Sequence, residues 1–164
     1  MVAERYTTLR LGKLVPIPQF DERGCLPPGD HLASWQEIED RYGNSIKRQR
    51  LLNGLSIVVQ ALRKQGVHTI WIDGSFVTDK PRPSDVDVVY RPPTPDTSAS
   101  WGLFSPGKRS ELKRIHAVDL WPYPSFQMPP GAPRTETIKS FFSHDLNDVP
   151  KGLIELEEPE DDQE

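Results

Sequence analysis

Apolar residues recur every three or four positions between residues 45 and 65, a spacing that predicts a long amphipathic helix. Asn44 or Ser45 is a suitable first residue, and Gly66 follows the predicted end. We expect the apolar face of this helix to pack against a sheet rather than to bind a partner. That face consists of Leu51, Leu52, Leu55, Val58, Val59 and Leu62.

Four shorter segments have the apolar pattern of strands, and three have that of short helices. The predicted strands are residues 67–72, 85–90, 115–121 and 153–156. The predicted short helices are residues 34–42, 105–114 and 135–142. The first of these helices begins with a capping box, formed by Ser34 and by Glu37 three positions later. Strands separated by helices and long loops predict an α/β (α+β) fold, with a mixed sheet of roughly three to five strands flanked by helices.

Two carboxylates occupy alternate positions at the start of the strand predicted at residues 85–90. Because side chains alternate across a strand, Asp85 and Asp87 point to one face while Val86 and Val88 point into an apolar layer on the other. Adjacent carboxylates repel each other unless a cation lies between them. Mg²⁺ suits this pair, since it takes oxygen ligands and is usually held by one or two carboxylates together with substrate phosphates.

A Gly-Ser pair directly follows the strand predicted at residues 67–72. Gly74 allows a tight turn whose backbone amides can face an anion. Ser75 can add a hydrogen bond, or cap a short helix that begins there. A lone Gly-Ser pair carries little information, but one that stands between a hydrophobic strand and an Asp-Val-Asp-Val-Val strand indicates a phosphate site beside a metal site.

These residues resemble the signature of the DNA polymerase beta-like nucleotidyltransferase superfamily. In that signature a hydrophobic residue and Gly-Ser precede an Asp-hydrophobic-Asp strand, and residues 73–75 and 85–88 fit it. The resemblance implies a fold like that of the polymerase beta palm and a third carboxylate on a later strand, which Asp119 matches. It also implies a nucleoside triphosphate, with ATP expected, bound at Gly74 and Ser75.

The resemblance further implies in-line displacement on the α-phosphate, with Mg²⁺ or Mn²⁺ bridging the attacking and leaving oxygens. Asp85 and Asp87 would bind the metal ions and the triphosphate. Asp119 would bind the ion that activates the acceptor hydroxyl and would help to remove its proton. Lys80 and Arg82, close to the turn, would contact the β- or γ-phosphate.

The small size of the chain is similar to that of minimal nucleotidyltransferases, some of which are antitoxins that transfer AMP to a partner toxin. Residues 71–78, 141–142 and 150–154 also resemble uncharacterised bacterial members encoded near toxin-antitoxin and phage-defence genes. The acceptor is therefore expected to be a protein or an RNA. The alternative is a non-catalytic antitoxin or regulatory partner that retains the nucleotidyltransferase fold.

Each candidate residue also has a structural interpretation. The Asp85 and Asp87 pair can be the solvent face of a strand, and Asp119 can be an ion-paired position on an edge strand. Lys80 and Arg82 can be plain surface charges. Basic residues that gather near positions 47–50, 63–64 and 108–114 can be solvated helix faces, or they can guide a nucleic acid or an acidic partner.

Composition places these motifs in one domain, residues 1–154, followed by an acidic tail over residues 155–164 that is expected to be disordered. The tail contains seven carboxylates, so a net charge of −4 becomes a body with 20 basic and 17 acidic residues. A single cysteine, Cys25, predicts a reducing compartment. The charged first residues and the absence of a long apolar run predict a cytoplasmic protein with no membrane partner.

Overall fold

The computed structural model describes residues 16–93, 106–123 and 138–160. Residues 1–15 lie outside these ranges. So do the starts of the helices predicted at residues 105 and 135, and the last residues of the acidic tail. In chain order the elements are β1 (Gly29–Ala33), α1 (Trp35–Tyr42), α2 (Ile46–Lys64), β2 (Ile70–Asp73), a 3₁₀-helix (Gly74–Val77), β3 (Val86–Tyr90), α3 (Pro106–His116), β4 (Val118–Pro122), α4 (Ile138–Phe142) and β5 (Gly152–Leu156).

The five strands form one mixed sheet in the order β1-β5-β2-β3-β4. The outer pairs, β1 with β5 and β3 with β4, are parallel. The central strand β2 runs antiparallel to both of its neighbours, β5 and β3. The sheet and the four helices confirm the predicted α+β class and the predicted strand number.

Each face of the sheet carries its own apolar cluster, because paired residues on neighbouring strands point to the same side. Ile72, Val88 and Leu120 are in register on one face and belong to the main core with the apolar face of α2. Trp71, Val89 and Trp121 are in register on the other face and pack with Ile138 of α4. The sheet is therefore covered by helices on both sides.

The helices α1 and α2 begin where their sequences predict. The Ser34 hydroxyl accepts a hydrogen bond from the Glu37 amide, and the Glu37 carboxylate accepts one from the Ser34 amide, which completes the capping box. The Ser45 hydroxyl caps α2 by accepting from the amide of Arg48. The predicted apolar face of α2 is buried. In the described part of the chain, no helix is long and apolar enough to cross a membrane.

Several elements differ from the sequence prediction. The strand predicted at residues 67–72 is β2, which begins at Ile70 and ends at Asp73. Residues 115 and 116 end α3 instead of beginning β4, and the chain turns at Ala117, which has a φ of 56°. The strand β1 was not predicted, because Gly29–Ala33 shows no clear alternation and is stabilised by distant pairing with β5. Strand β5 includes Glu155 and Leu156, so the acidic tail begins after these residues and not at position 155.

Candidate functional site

Three aspartates form a row across the middle of the sheet. Asp73 pairs with Asp87 between β2 and β3, and Asp87 pairs with Asp119 between β3 and β4. The register places their side chains on one face, and Asp85 lies two residues before Asp87 on the same side. The structure therefore brings together the three predicted carboxylates, and it adds Asp73 as a fourth.

Cationic side chains of α3 pair with two of these carboxylates. The Lys113 Nζ atom lies 3.4 Å from Asp85 Oδ2 and also 3.4 Å from Asp119 Oδ2. The Arg109 Nε atom donates a hydrogen bond to Asp119 Oδ1 at 3.2 Å. The Arg109 guanidinium lies 3.5 Å from the centroid of the Trp121 ring. Asp119 is thus ion-paired on an edge strand, which is what the structural interpretation of this residue predicts. It also lies beside Asp87, which is the position that the functional interpretation requires.

The environment of Asp73 and Asp87 disfavours negative charge. Asp73 is fully buried, and neither of its carboxyl oxygens has a hydrogen-bond partner among the residues that the structure describes. Burial, and then the charge of Asp87, raise the Asp73 pKa well above its usual value. Burial, and then Asp85 and Asp119, raise the pKa of Asp87 to about 7. A cation that approached Asp87 would relieve this destabilisation.

The predicted Gly74–Ser75 bend lies directly against the row of aspartates. Gly74 has a φ of +75°, and a Cβ atom at this position would lie 1.9 Å from Asp87 Oδ2. The structure therefore gives Gly74 a reason beyond phosphate approach, since only glycine admits the Asp87 carboxylate here. The Ser75 carbonyl accepts hydrogen bonds from the Thr78 amide and hydroxyl, which closes the 3₁₀ turn. Contact of Gly74 and Ser75 with a phosphate stays a prediction.

A buried arginine of α2 fixes the loop that follows this bend. The Arg48 guanidinium donates hydrogen bonds to the carbonyls of Phe76 at 2.7 Å, Thr78 at 2.9 Å and Lys80 at 2.7 Å. The basic group near positions 47–50 predicts a surface position for Arg48, which is wrong, because the residue is buried. A signal was available, since position 48 lies on the apolar face of α2, three residues before Leu51.

The fold does not place the side chains of Lys80 and Arg82, the predicted phosphate ligands, in contact with the carboxylates. Both side chains are exposed, and within the described residues neither has an ion pair or hydrogen bond with an aspartate of the row. They stand in a loop in which the main chain of Lys80, and not its side chain, makes the structural contact. Lys151, in contrast, influences the row electrostatically, because its positive charge lowers the pKa of both Asp73 and Asp87.

The four carboxylates form an oxygen-only donor set, the type that Mg²⁺ and Mn²⁺ prefer. Across the described ranges, no group of three or more His, Cys, Asp or Glu side chains is spaced as a metal site. The Lys113 ammonium nevertheless contacts Asp85 and Asp119 at the same time, so these two carboxylates converge on one cationic group. Asp85 and Asp119 therefore offer oxygen ligands that a divalent cation could share, and the metal set Asp85, Asp87 and Asp119 stays a prediction.

A cavity of about 580 Å³ lies elsewhere, between α2 and the end of β5. Val59, Arg63 and Leu156 are among its lining residues, and none of the aspartates lines it. The cavity is therefore separate from the carboxylate row.

A family model described as a family of unknown function (DUF6932) matches residues 18–157. The chain belongs to the DUF6932 family. The match covers the whole sheet and every residue of the carboxylate row, so the site lies within the part of the chain that defines DUF6932 membership. Comparison with curated proteins and with solved structures found no match to the chain.

Proposed function

We propose that this protein is a nucleotidyltransferase that depends on Mg²⁺ or Mn²⁺ and transfers a nucleoside monophosphate from a triphosphate, with ATP expected, to a protein or RNA hydroxyl. The observation that supports this proposal best is the convergence of Asp85, Asp87 and Asp119 on one sheet face beside the Gly74–Ser75 bend. Two-metal nucleotidyl transfer needs this combination of carboxylates and an adjacent anion site.

In the proposed reaction the acceptor oxygen forms a bond to the α-phosphorus, and the bond from that phosphorus to the oxygen bridging to the β-phosphate breaks. Pyrophosphate leaves, and the acceptor proton passes to a base. Bound Mg²⁺ or Mn²⁺ would neutralise phosphate charge and make the acceptor hydroxyl more acidic. Asp85, Asp87 and Asp119 would hold the cation, and a carboxylate oxygen of Asp119 would accept the proton.

The surroundings of the row supply the other requirements of this chemistry. The amides of the Gly74–Ser75 bend would bind the phosphates, because a glycine turn can receive an anion. The positive charge of Lys151 lowers the pKa of Asp73 and Asp87, and it would also attract a phosphate beside them. Because positioning and charge neutralisation provide most of the rate in phosphoryl transfer, these groups support catalysis without a covalent intermediate.

A second candidate function follows from the ion pairs of Asp119. Arg109 and Lys113 satisfy this carboxylate within the protein, which is what a purely structural aspartate would require. The chain would then be an antitoxin or regulatory partner of a toxin-antitoxin or phage-defence system that acts by contact with a second protein and retains only the fold.

Label transfer separates the two proposals. The protein is incubated with each triphosphate labelled at the α-phosphate, with Mg²⁺ or Mn²⁺, and with candidate protein and RNA acceptors. We expect label to reach an acceptor, and we expect Asp87→Asn to reduce the rate at least about 100-fold, since the variant removes a carboxylate that would hold the metal ion at the reacting phosphate.

Asp40→Asn is the matched control, because Asp40 lies on the exposed side of α1, where its carboxylate accepts a hydrogen bond from the Gln36 side chain. This variant should transfer label at the wild-type rate. Equal rates for Asp87→Asn and the wild type would refute the transferase proposal. Absence of transfer, together with equal partner binding by both proteins, would establish the contact function.

A further inference from the structure

Lys113 occupies an unusual position in the carboxylate row. Its ammonium is equidistant from Asp85 and Asp119, at 3.4 Å from an oxygen of each. These two aspartates come from different segments, one just before β3 and one within β4. A single ammonium on α3 therefore pairs with both of them at once.

Lys113 and Arg109 differ in how firmly they are held. They lie four residues apart on α3 and so share one helix face. The Arg109 side chain is 28% exposed and stacks on Trp121, whereas the Lys113 side chain is 52% exposed. Exposed ion pairs of lysine contribute little to stability and exchange readily. Lys113 is therefore the replaceable cation, and Arg109 is the fixed one.

The carboxylate row also contains a buried carboxyl group that these two residues do not contact. Asp73, behind Asp87, is fully buried and has no hydrogen-bond partner within the described ranges. Lys113 is not paired with it, since the ion pairs of Lys113 are to Asp85 and Asp119. A divalent ion has twice the charge of an ammonium group, and its attraction to the ionised carboxylates of the row is correspondingly larger.

We infer that Lys113 is the resident counterion of the carboxylate row, that a divalent cation displaces it, and that the released ammonium then binds the phosphates of the nucleotide. This inference rests on the proposed function. It replaces Lys80 and Arg82 as phosphate ligands with a residue that the structure places beside the carboxylates. The displaced side chain needs to move only by rotation of its own flexible stem, because it is already half exposed.

The test measures the affinity for Mn²⁺ and the affinity for tripolyphosphate, which we expect to change in opposite directions. Binding of Mn²⁺ alone is followed by electron paramagnetic resonance, and binding of inorganic tripolyphosphate at saturating Mn²⁺ is followed by calorimetry. For Lys113→Gln we expect Mn²⁺ to bind about fivefold more tightly, because a competing charge is lost. We expect tripolyphosphate to bind about tenfold more weakly, because a charge-assisted contact is lost.

Arg114→Gln is the matched control, since it removes the same charge from an exposed position one residue further along α3. It should change either affinity less than twofold, once the salt in the buffer screens distant charges. Mn²⁺ affinity that is unchanged or weaker in Lys113→Gln would overturn the inference. An unchanged tripolyphosphate affinity, or equal effects of Arg114→Gln, would overturn it as well.

A third variant separates this inference from the proposed function. If Asp87→Asn leaves Mn²⁺ binding unchanged, the row is not a metal site, and both the proposed function and the inference are wrong. If Asp87→Asn weakens Mn²⁺ binding while Lys113→Gln does not alter it, the metal site stands and only the role of Lys113 is wrong.

Discussion

At the scale of single residues, the carboxylate row depends on a position that has no side chain. The Asp87 carboxylate occupies the space that a Cβ atom of residue 74 would fill, and the backbone there is in the left-handed region. Either feature alone disfavours an L-residue, and together they make glycine the residue that fits. The local sequence predicts a phosphate contact at Gly74, whereas the packing role of this residue depends on the pairing of β2 with β3.

We predict that Gly74→Ala lowers the free energy of unfolding by at least about 2 kcal/mol, because it combines a strained φ with a steric clash. Urea denaturation measures this change. Gly107→Ala is the control, since a Cβ atom at that exposed position of α3 would meet nothing within 4 Å. The control should alter stability by no more than about 1 kcal/mol, in the stabilising direction. Equal effects of the two substitutions would show that Asp87 does not pack against residue 74.

The site residues that could be predicted are those whose signal is local. Alternation along one strand was sufficient to pair Asp85 with Asp87, and the family resemblance pointed to Asp119. Asp73 lay inside the same motif but was not selected, because its place in the row comes from the register of β2 against β3. The same limit applies to Lys113, whose ion pairs depend on how α3 docks against β4.

At the scale of elements, the long helix α2 does more than cover the sheet. Through Arg48 it donates three hydrogen bonds to carbonyls of the loop after the Gly74–Ser75 bend. The guanidinium also lies 5.1 Å from the centroid of the Phe76 ring and 5.8 Å from that of Tyr42. The position of the bend is therefore set by a residue far from it in sequence.

We expect Arg48→Met to lower the free energy of unfolding by about 2–4 kcal/mol, because three loop carbonyls lose their donor while the aliphatic stem is retained. Urea denaturation gives the energy, and hydrogen exchange of residues 76–82 should become faster. Arg50→Met is the control, because Arg50 is exposed on the same helix. If exchange in this loop rises equally in both variants, Arg48 does not hold the loop in place.

The starts of α1 and α2 were easier to predict from the sequence than the limits of the strands. Ser34 and Ser45 cap their helices through hydrogen bonds to amides three residues ahead, which is a local signal. The beginning of β4 was misplaced because residues 115 and 116 are apolar or aromatic enough to fit a strand, yet they complete the last turn of α3. Only the turn at Ala117, which precedes the pairing with β3, separates the two elements.

At the scale of the whole molecule, the carboxylate row couples stability to pH. Asp73 and Asp87 have raised pKa values in the folded protein, while in the unfolded chain a carboxyl of this type titrates near 3.9. Between these values the unfolded state has lost its protons and the folded state still holds them. Stability therefore falls as pH rises from about 4 through about 7, the pKa of Asp87.

We predict that Asp87→Asn removes part of this slope. Asparagine does not titrate, and loss of the Asp87 charge also lowers the Asp73 pKa, because that charge is one of the causes that raise it. From pH 5 to pH 7 the stability of the variant relative to the wild type should therefore increase by about 1 kcal/mol per pH unit, as expected for a difference of one bound proton. Urea denaturation at pH 5, 6 and 7 measures this difference, with Asp40→Asn as the control that should follow the wild-type curve. Excess Mg²⁺ should stabilise the wild type more at pH 7 than at pH 5, because the proposed site binds ionised carboxylates. Parallel pH curves for Asp87→Asn and the wild type would show that the row does not resist ionisation. The electrostatic reason to place a cation there would then be lost.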